Sequence, residues 1–119
     1  MAPLAEVAPV VSSIDDAREV LRDERALRHV VLVDHDEGVR PVGLLSRAQA
    51  FEPSPSPGRP LLARLSESAA DVARRAMTRE HDRRFDPVVC RDGRGHYQGI
   101  VTIDRLVHRL ADACQDHGA

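Results

Sequence analysis

Two cysteines and six histidines are the side chains in this sequence that could support redox chemistry or bind a metal ion. Zinc sites need cysteine and histidine pairs at short, fixed spacings, and neither Cys90 nor Cys114 has such a partner. Asp34-His35-Asp36 resembles part of a metal site, but it falls in a predicted turn, where polar residues are common. Cys114 lies on an apolar helical stripe that is typical of a core thiol. The sequence therefore predicts no metal site, and a redox or metal sensor would require Cys90 to be exposed and paired.

Catalytic motifs are missing from the chain. All 17 basic residues are arginine, which excludes the lysine of a phosphate-binding loop, a Schiff-base lysine and a lysine general base. Asparagine is also absent, which excludes a Cys-His-Asn triad. There is no nucleophile elbow and no glycine-rich dinucleotide loop. We therefore predict that the chain is not an enzyme.

The charge and the hydropathy exclude several classes of partner. The net charge is -2 and 3% of the residues are aromatic, a composition that does not suit nucleic acid binding. The pairs Arg74-Arg75 and Arg83-Arg84 are interleaved with acidic residues and indicate a mixed, solvated surface. No apolar stretch approaches the length of a membrane span, and the first residues do not resemble a signal peptide. We predict a soluble, cytoplasmic protein with no nucleic acid and no membrane as partners.

An internal repeat organises the chain. Residues 12–50 align with residues 68–106 without a gap, and the match keeps helix, strand, turn and glycine patterns in one register. The identical pairs include Ser12 with Ser68, Val33 with Val89, and Gly43 with Gly99. The repeat predicts two units of the same topology.

Each half has the pattern of a strand, a helix, two strands and a second helix. A serine followed by acidic residues predicts the start of each first helix, and short valine-rich runs predict strands that are covered on both faces. The predicted strands lie near residues 5–11, 29–33 and 40–45 in the first half and near 61–65, 85–90 and 96–101 in the second. The predicted helices follow Ser12-Ser13 and Ser46 in the first half, and Ser68 and Thr102 in the second, where the last helix reaches about residue 116.

A proline-rich segment separates the two halves. Its four prolines, at positions 53, 55, 57 and 60, forbid helix and end the short second helix of the first unit. The expected division is a first unit at residues 5–52, a linker at 53–60 and a second unit at 61–116. One such unit cannot bury its sheet alone, but two packed together can. The predicted fold class is therefore α/β (α+β), with two tandem βαββα units packed as a pseudo-two-fold pair.

The doubled unit resembles the CBS domain pair, also called a Bateman module. The residues that carry the likeness are Gly43-Leu44-Leu45-Ser46 and the stretch from Phe85-Asp86-Pro87-Val88-Val89 to Gly99-Ile100-Val101-Thr102. The resemblance covers about residues 5–116. The second unit is similar to CBS units attached to bacterial cyclic-dinucleotide signalling proteins, and no such catalytic domain is present. A stand-alone bacterial protein is therefore implied.

This resemblance implies a regulatory module that senses a small molecule in a cleft between the units. The implied ligands are AMP, ADP, ATP or S-adenosylmethionine, bound as regulators. Family modules often associate face to face, which implies a homodimer, and an effector protein of unknown identity would receive the signal in trans. The motif glycines would let a ligand approach the backbone, and the helix N-termini would favour phosphate. The implied ligand-binding residues are Ser12, Ser13, His29, Val30, Gly43, Ser46, Gln49, Ser66, Ser68, Asp86, Pro87, Val88, Gly99, Thr102, Asp104 and Arg105.

The positions that hold the ribose in the family pattern are altered in both units. The pattern has an aspartate three residues after the Ser or Thr, and this sequence has Gln49 and Arg105 there. Asp104 is adjacent, but one helical step turns it about 100° away. Gln49 would hydrogen-bond a hydroxyl more weakly than a carboxylate does. Arg105 would instead meet a phosphate, with help from Arg47 of the other unit.

The sequence leaves two functional hypotheses open. A ligand sensor predicts an open cleft beside Gly99, Thr102 and Arg105. The alternative, a ligand-free dimerisation or scaffold module with degenerate pockets, predicts that Arg105 or Tyr97 fills the cleft and that a large apolar surface contacts a second copy.

Overall fold

The elements follow the order strand, helix, strand, strand, helix twice along the chain, which confirms the predicted fold class. The computed structural model describes residues 4–35, 38–80 and 85–117, with side chains described as far as residue 112. The first unit comprises β1 (Val10–Val11), α1 (Ile14–Asp23), β2 (His29–Asp34), β3 (Arg40–Ser46) and α2 (Arg47–Ala50). The second comprises β4 (Leu62–Arg64), α3 (Ala69–Met77), β5 (Val88–Arg91), β6 (Tyr97–Val101) and α4 (Ile103–His117).

Serine caps begin the first helix of each unit. The Ser13 hydroxyl accepts a hydrogen bond from the Asp16 amide at 3.1 Å, and the Ser68 hydroxyl accepts one from the Asp71 amide at 3.2 Å. Each cap satisfies an amide that has no partner within its helix, and the acidic residues of the first turn interact favourably with the helix dipole. The predicted alignment of Ser12 with Ser68 is therefore wrong by one position, because Ser13 is the structural equivalent of Ser68.

Both units build a three-stranded sheet with the same topology, in orders β1-β2-β3 and β4-β5-β6. In each sheet the first pair of strands is parallel and the second pair is antiparallel. Val30 pairs with Leu45 and Val88 pairs with Val101, so Val30 is equivalent to Val88. The gapless alignment is therefore wrong for the central strands as well as for the caps. Equivalent residues are 55 positions apart at the helix caps, 58 in the central strands and 56 in β3 and β6. The second unit therefore has a longer connection before β5 and a shorter turn after it, and the second change offsets all but one residue of the first.

Side chains of the central strands alternate between two cores. In β2, Val30 lies in a cluster with α1, whereas Val31 and Val33 lie in a core that also contains Val89 of β5. In β5, Val88 lies in a cluster with α3 and α4. Strands that are covered on both faces need apolar residues at successive positions, which explains the uninterrupted valine runs. The two units therefore share one interior between their sheets.

Backbone hydrogen bonds and one tyrosine also join the units. The Tyr97 amide donates to the Val39 carbonyl at 2.7 Å, so the two hairpins meet. The Tyr97 hydroxyl accepts from the Ala8 amide at 2.9 Å and donates to the Ala8 carbonyl at 3.0 Å. Gly38 lies against the His96 ring and has φ of +105°, so a side chain there would be strained and would clash. The bonds to Ala8 hold the segment before β1 against the second unit, and the other two contacts hold the hairpins together.

Candidate functional site

A cleft of about 250 Å³ opens between the two units. Three segments form its walls: the N-terminal segment before β1, the connection from α1 to β2, and the junction of β6 with α4. Two of the predicted site residues, His29 and Thr102, line the cleft from opposite units. The lining residues are Glu6, Val7, Ala8, Ala26, Leu27, Arg28, His29, Ile100 and Thr102.

Thr102 stands at the start of α4, the longest of the described helices. Its carbonyl accepts from the Leu106 amide at 3.1 Å, and its hydroxyl accepts from the Arg105 amide at 3.4 Å. The first amides of a helix lack partners within the helix, and the helix dipole places partial positive charge at this end. The α4 end of the cleft therefore favours an anionic group such as a phosphate.

His29 supplies an imidazole to the same cleft. Burial lowers its pKa below the ordinary value, Asp86 of the second unit opposes that shift, and Arg28 adds to it. The ring is accordingly neutral at neutral pH, with one nitrogen that donates and one that accepts. The charge of Asp86 therefore acts on His29 across the boundary between the two units.

The two motif glycines are covered by other segments of the same chain. A Cβ atom on Gly99 would lie 2.9 Å from the Glu6 carbonyl oxygen, and φ of Gly99 is +129°. Glu6 and Ile100 exchange two backbone hydrogen bonds of 2.8 and 2.7 Å across that contact. A Cβ atom on Gly43 would lie 3.1 Å from Cβ of Pro57 in the linker. The expectation that these glycines admit a ligand is therefore corrected, because in each unit the close approach is made by the protein backbone or the linker.

The altered ribose positions have different partners in the two units. Gln49 forms a capping box with Ser46, in which its side-chain oxygen accepts from the Ser46 amide at 3.0 Å. Arg105 donates to the Leu4 carbonyl at 3.2 Å and lies 3.4 Å from the Glu6 carboxylate. Asp104 is exposed on α4 and does not line the cleft. The cleft is therefore open beside Thr102, while Gly99 is covered and Arg105 is paired with the N-terminal segment.

Arg47 does not face the cleft as a free cation. Its guanidinium donates to the Leu27 carbonyl at 2.9 Å and to the Glu24 carbonyl at 2.7 Å. These two bonds tie the start of α2 to the connection that precedes β2. The expectation that Arg47 assists Arg105 with a phosphate is therefore wrong.

The other predicted residues lie away from the cleft lining. Ser12, Ser13, Ser66 and Ser68 are exposed, and Ser66 borders a separate groove with Arg64 and Gln98. Val30, Pro87 and Val88 are buried, so their side chains serve packing. The Asp86 carbonyl accepts from Arg79 at 2.8 Å. The structure thus brings His29 and Thr102 together in one cleft, and Asp86 acts on His29 through its charge.

Several cleft residues were missed by the sequence reasoning. Ile100 belongs to the Gly-Ile-Val-Thr motif, so that motif offered a signal. Glu6, Val7 and Ala8 precede the first helix in a segment with no motif, and Val7 is 85% exposed in spite of its apolar side chain. Their role depends on a contact between residues 6 and 100, which no local sequence pattern could predict.

Cys90 is buried and unpaired, and burial raises its thiol pKa to about 11. A redox or metal sensor would need this thiol exposed and paired, so the structure contradicts that reading for Cys90. Cys114, Arg83-Arg84 and His81 lie outside the described side chains. Across residues 4–35, 38–80 and 85–117, no helix is long and apolar enough to cross a membrane. Among the side chains described up to residue 112, no three of His, Cys, Asp or Glu gather as a metal site.

Comparisons with known proteins agree with the doubled topology. The sequence model of the family described as CBS domain matches residues 5–52 and 58–112. The structure resembles CBSX2 of Arabidopsis thaliana in complex with AMP, with a TM-score of 0.65, 18% identity, and coverage of 94% of this chain and 96% of that chain. No curated protein is significantly similar to the chain in sequence.

Two magnesium transport proteins have the same fold over part of their length. For the soluble part of a magnesium transporter the TM-score is 0.67 at 21% identity, covering 92% of this chain and 45% of that chain. For the cytosolic domain of the Mg²⁺ channel MgtE in complex with ATP the TM-score is 0.62 at 20% identity, covering 86% of this chain and 44% of that chain. The chain thus spans less than half of either protein, and likeness at these identities shows the fold alone.

Proposed function

Because the chain belongs to the CBS domain family, with one CBS unit in each half, we propose that it is a regulatory module that binds an adenine nucleotide in the cleft between its units. The observation that carries the proposal is the cleft itself, in which His29 of one unit faces the start of α4 in the other. CBSX2 in complex with AMP has the same fold, which supports AMP as the first ligand to test. ADP, ATP and S-adenosylmethionine are the related candidates.

The lining of the cleft suits the parts of such a ligand. Val7, Leu27 and Ile100 offer apolar surface for a flat base, and the neutral His29 imidazole offers both a donor and an acceptor to its edge. The helix N-terminus at Thr102 favours phosphate. A cleft of about 250 Å³ is slightly below the range of roughly 300–1,000 Å³ found for small-molecule sites, which favours a mononucleotide over a larger ligand.

Glu6 offers the carboxylate that the family pattern otherwise takes from the last helix. It lines the cleft with Thr102, while Arg105, at the position of the family aspartate, lies 3.4 Å from it. A carboxylate accepts hydrogen bonds from both hydroxyls of a ribose, and such charge-assisted bonds are stronger than neutral ones. We therefore assign the ribose contact to Glu6, with Arg105 as the residue that positions it.

Regulation by a ligand is inferred from the fact that both units contribute residues to the cleft. Residues 26–29 belong to the first unit and residues 100–102 to the second, so a ligand contacts both. A ligand shifts the equilibrium between two arrangements only by the difference in its affinity for them. The output would pass in trans to an effector protein or to a second copy of the chain.

Calorimetric titration of the protein with AMP, paired with thermal melts, tests the proposal. At about 100 times its dissociation constant a ligand adds about 2.7 kcal/mol of stability, which corresponds to about 11 °C for a chain of this length. Glu6→Gln should weaken AMP binding about tenfold and reduce the preference for AMP over 2′-deoxy-AMP. Asp104→Asn removes an exposed carboxylate outside the cleft and is the matched control.

Absence of saturable binding by AMP, ADP, ATP and S-adenosylmethionine would refute the nucleotide proposal. Equal losses in Glu6→Gln and Asp104→Asn would refute the assignment of the ribose contact alone.

A ligand-free dimerisation module is the second candidate function. The pairing of Gln49 with Ser46 and of Arg105 with Glu6 favours it, because both altered ribose positions already have partners in the protein. Met77 of α3 and Val107 of α4 are 47% and 56% exposed on helices that contact each other. Under this reading, sedimentation would show a dimer that Val107→Glu dissociates, and no nucleotide would change the melting temperature.

A further inference from the structure

An arginine-rich groove lies at the opposite end of the sheets from the nucleotide cleft. Arg40 at the start of β3, Arg64 at the end of β4, Arg91 at the end of β5, and Arg94 in the β5–β6 turn line it, and its volume is about 350 Å³. We call it the arginine groove. The cleft, by contrast, is formed at the start of β2 and the end of β6. The two sites therefore share no lining residue.

Two of these arginines are direct neighbours in the sheet. Arg64 and Arg91 are register partners on the parallel strands β4 and β5, so their side chains leave the same face of the sheet. Like charges placed directly opposite one another destabilise a sheet. Within the described part of the chain, no carboxylate lies within ion-pair distance of Arg64, Arg91 or Arg94. Arg40 differs, because Asp34 is its register partner on β2.

Asp92, the one acidic residue that lines the groove, stabilises the β5–β6 turn. Asp92 accepts from the Arg94 amide at 2.8 Å and from the His96 amide at 3.0 Å through one oxygen, and from the Gln98 side chain at 3.4 Å through the other. The amide of His96 is the main cause that lowers the Asp92 pKa. The carboxylate therefore stays ionised and bound to the turn, and the groove keeps an excess of positive charge from Arg64, Arg91 and Arg94 against one aspartate.

We propose that the arginine groove binds a small anion that carries linked phosphate groups, such as a diphosphate. Planar guanidinium groups match phosphate oxygens through paired hydrogen bonds, and an anion between Arg64 and Arg91 would remove their mutual repulsion. Gly93 has open space where a side chain would stand, so the turn leaves room for the ligand beside the backbone. A volume of about 350 Å³ holds a di- or triphosphate group but only a short part of a nucleic acid strand.

The test is a titration of the isotope-labelled protein with inorganic diphosphate, followed by amide NMR at constant ionic strength, with sulfate as the comparison anion. The amides of Gly93 and Gly95 should shift in a saturable way, and those of Thr102 and Arg28 should not. Arg64→Gln and Arg91→Gln should each weaken binding about tenfold. Arg25→Gln removes the same charge from an exposed connection outside the groove and should leave binding unchanged.

A second readout separates ligand binding from a structural role. Without anion, Arg64→Gln should melt at a higher temperature than the wild type, because it removes the repulsion with Arg91. With saturating diphosphate the order should reverse. A structural role for Arg64 would instead lower the melting temperature under both conditions, and that result would overturn the proposal.

Three further outcomes would also overturn it. Diphosphate could fail to saturate, or Arg25→Gln could weaken binding as much as Arg64→Gln, which would indicate only general attraction to the surface. The shifts could centre on Thr102, which would assign the anion to the nucleotide cleft. A short single-stranded oligonucleotide could bind through Arg64 and Arg91 where diphosphate does not. Failure of AMP to bind the cleft would not affect the proposal, because the two sites are tested by different ligands and variants.

Discussion

Replacing Gly99 by alanine should destabilise the protein and release the N-terminal wall of the cleft. The new Cβ atom would lie 2.9 Å from the Glu6 carbonyl oxygen, and φ of +129° is strained for any L side chain. The obstacle is backbone rather than the end of a flexible side chain. Accommodation therefore requires that the segment around Glu6 move away from Ile100.

The expected cost follows from two contributions. Strain at an unfavourable backbone conformation costs about 1–3 kcal/mol. Displacement of Glu6 weakens its two backbone hydrogen bonds with Ile100, each worth about 1 kcal/mol net. We therefore expect a loss of about 3 kcal/mol in the free energy of unfolding. For 119 residues the unfolding entropy is about 0.25 kcal/mol/K, so the melting temperature should fall by about 12 °C.

Gly43→Ala is the matched variant, because Gly43 occupies the same motif position in the first unit. Its φ is not positive, and its new Cβ atom would lie 3.1 Å from the Pro57 Cβ and 3.3 Å from a Leu32 methyl group. Small shifts relieve such contacts, and removal of glycine stabilises by about 0.4–1 kcal/mol through the unfolded state. The net change should stay within about 1 kcal/mol, or about 4 °C.

Thermal melts by circular dichroism measure both variants, and hydrogen exchange at the Glu6 and Ile100 amides reports the local contact. Exchange at these two amides should accelerate in Gly99→Ala and stay unchanged in Gly43→Ala. Equal melting temperatures for the two variants, or undiminished protection of Ile100 in Gly99→Ala, would show that the N-terminal segment does not depend on the space left by Gly99.

Three local features can be tested separately. Burial lowers the His29 pKa, so the unfolded chain takes up this proton at a higher pH than the folded protein does. The stability that is present above about pH 6.5 should therefore be lost as the pH falls. His29→Gln should make the melting temperature less dependent on pH. Cys90, with its thiol pKa raised to about 11, should resist iodoacetamide under native conditions in a Cys114→Ser background, as measured by mass spectrometry. Gln49→Ala breaks the capping box and should lower stability by about 1 kcal/mol in thermal melts.

The fold could be predicted because its signals are local. Ser13 and Ser68 precede acidic residues and begin helices, and valine runs fit strands that are buried on both faces. The register that relates the residues of one unit to those of the other was harder to predict. Val, Arg and Asp recur so often that a gapless alignment scores well, yet the strand pairs equate Val30 with Val88. Length differences of opposite sign fall in two connections and largely offset each other, so they cannot be seen without the strand pairing.

Residues of the candidate site could be predicted only where a local sequence motif determines both where a residue lies and what it does. Thr102 follows the Gly-Ile-Val stretch directly, so a helix start there is a local consequence of sequence. His29 reaches the cleft because it begins β2. The contribution of Glu6 could not be predicted, since it depends on a bridge to Ile100 that joins residues far apart in the chain. The bond from the Ser46 amide to Gln49 was missed, although Ser-x-x-Gln at residues 46–49 is the sequence pattern of a capping box.

The loss of aspartate from both ribose positions has unequal consequences in the two units. In the first unit Gln49 bonds within its own helix start, which leaves that position with no carboxylate. In the second unit, Arg105 and Glu6 together restore a carboxylate beside Thr102, now supplied by the N-terminal segment. Under the proposed assignment of the ribose contact to Glu6, a substitution there removes the only carboxylate assigned to the ligand, whereas a substitution at Gln49 changes only helix stability. Substitution of Glu6 should lower the nucleotide affinity, and substitution of Gln49 should leave it unchanged. This pair of variants therefore distinguishes a sensor with one ligand-binding cleft from a module that binds no ligand.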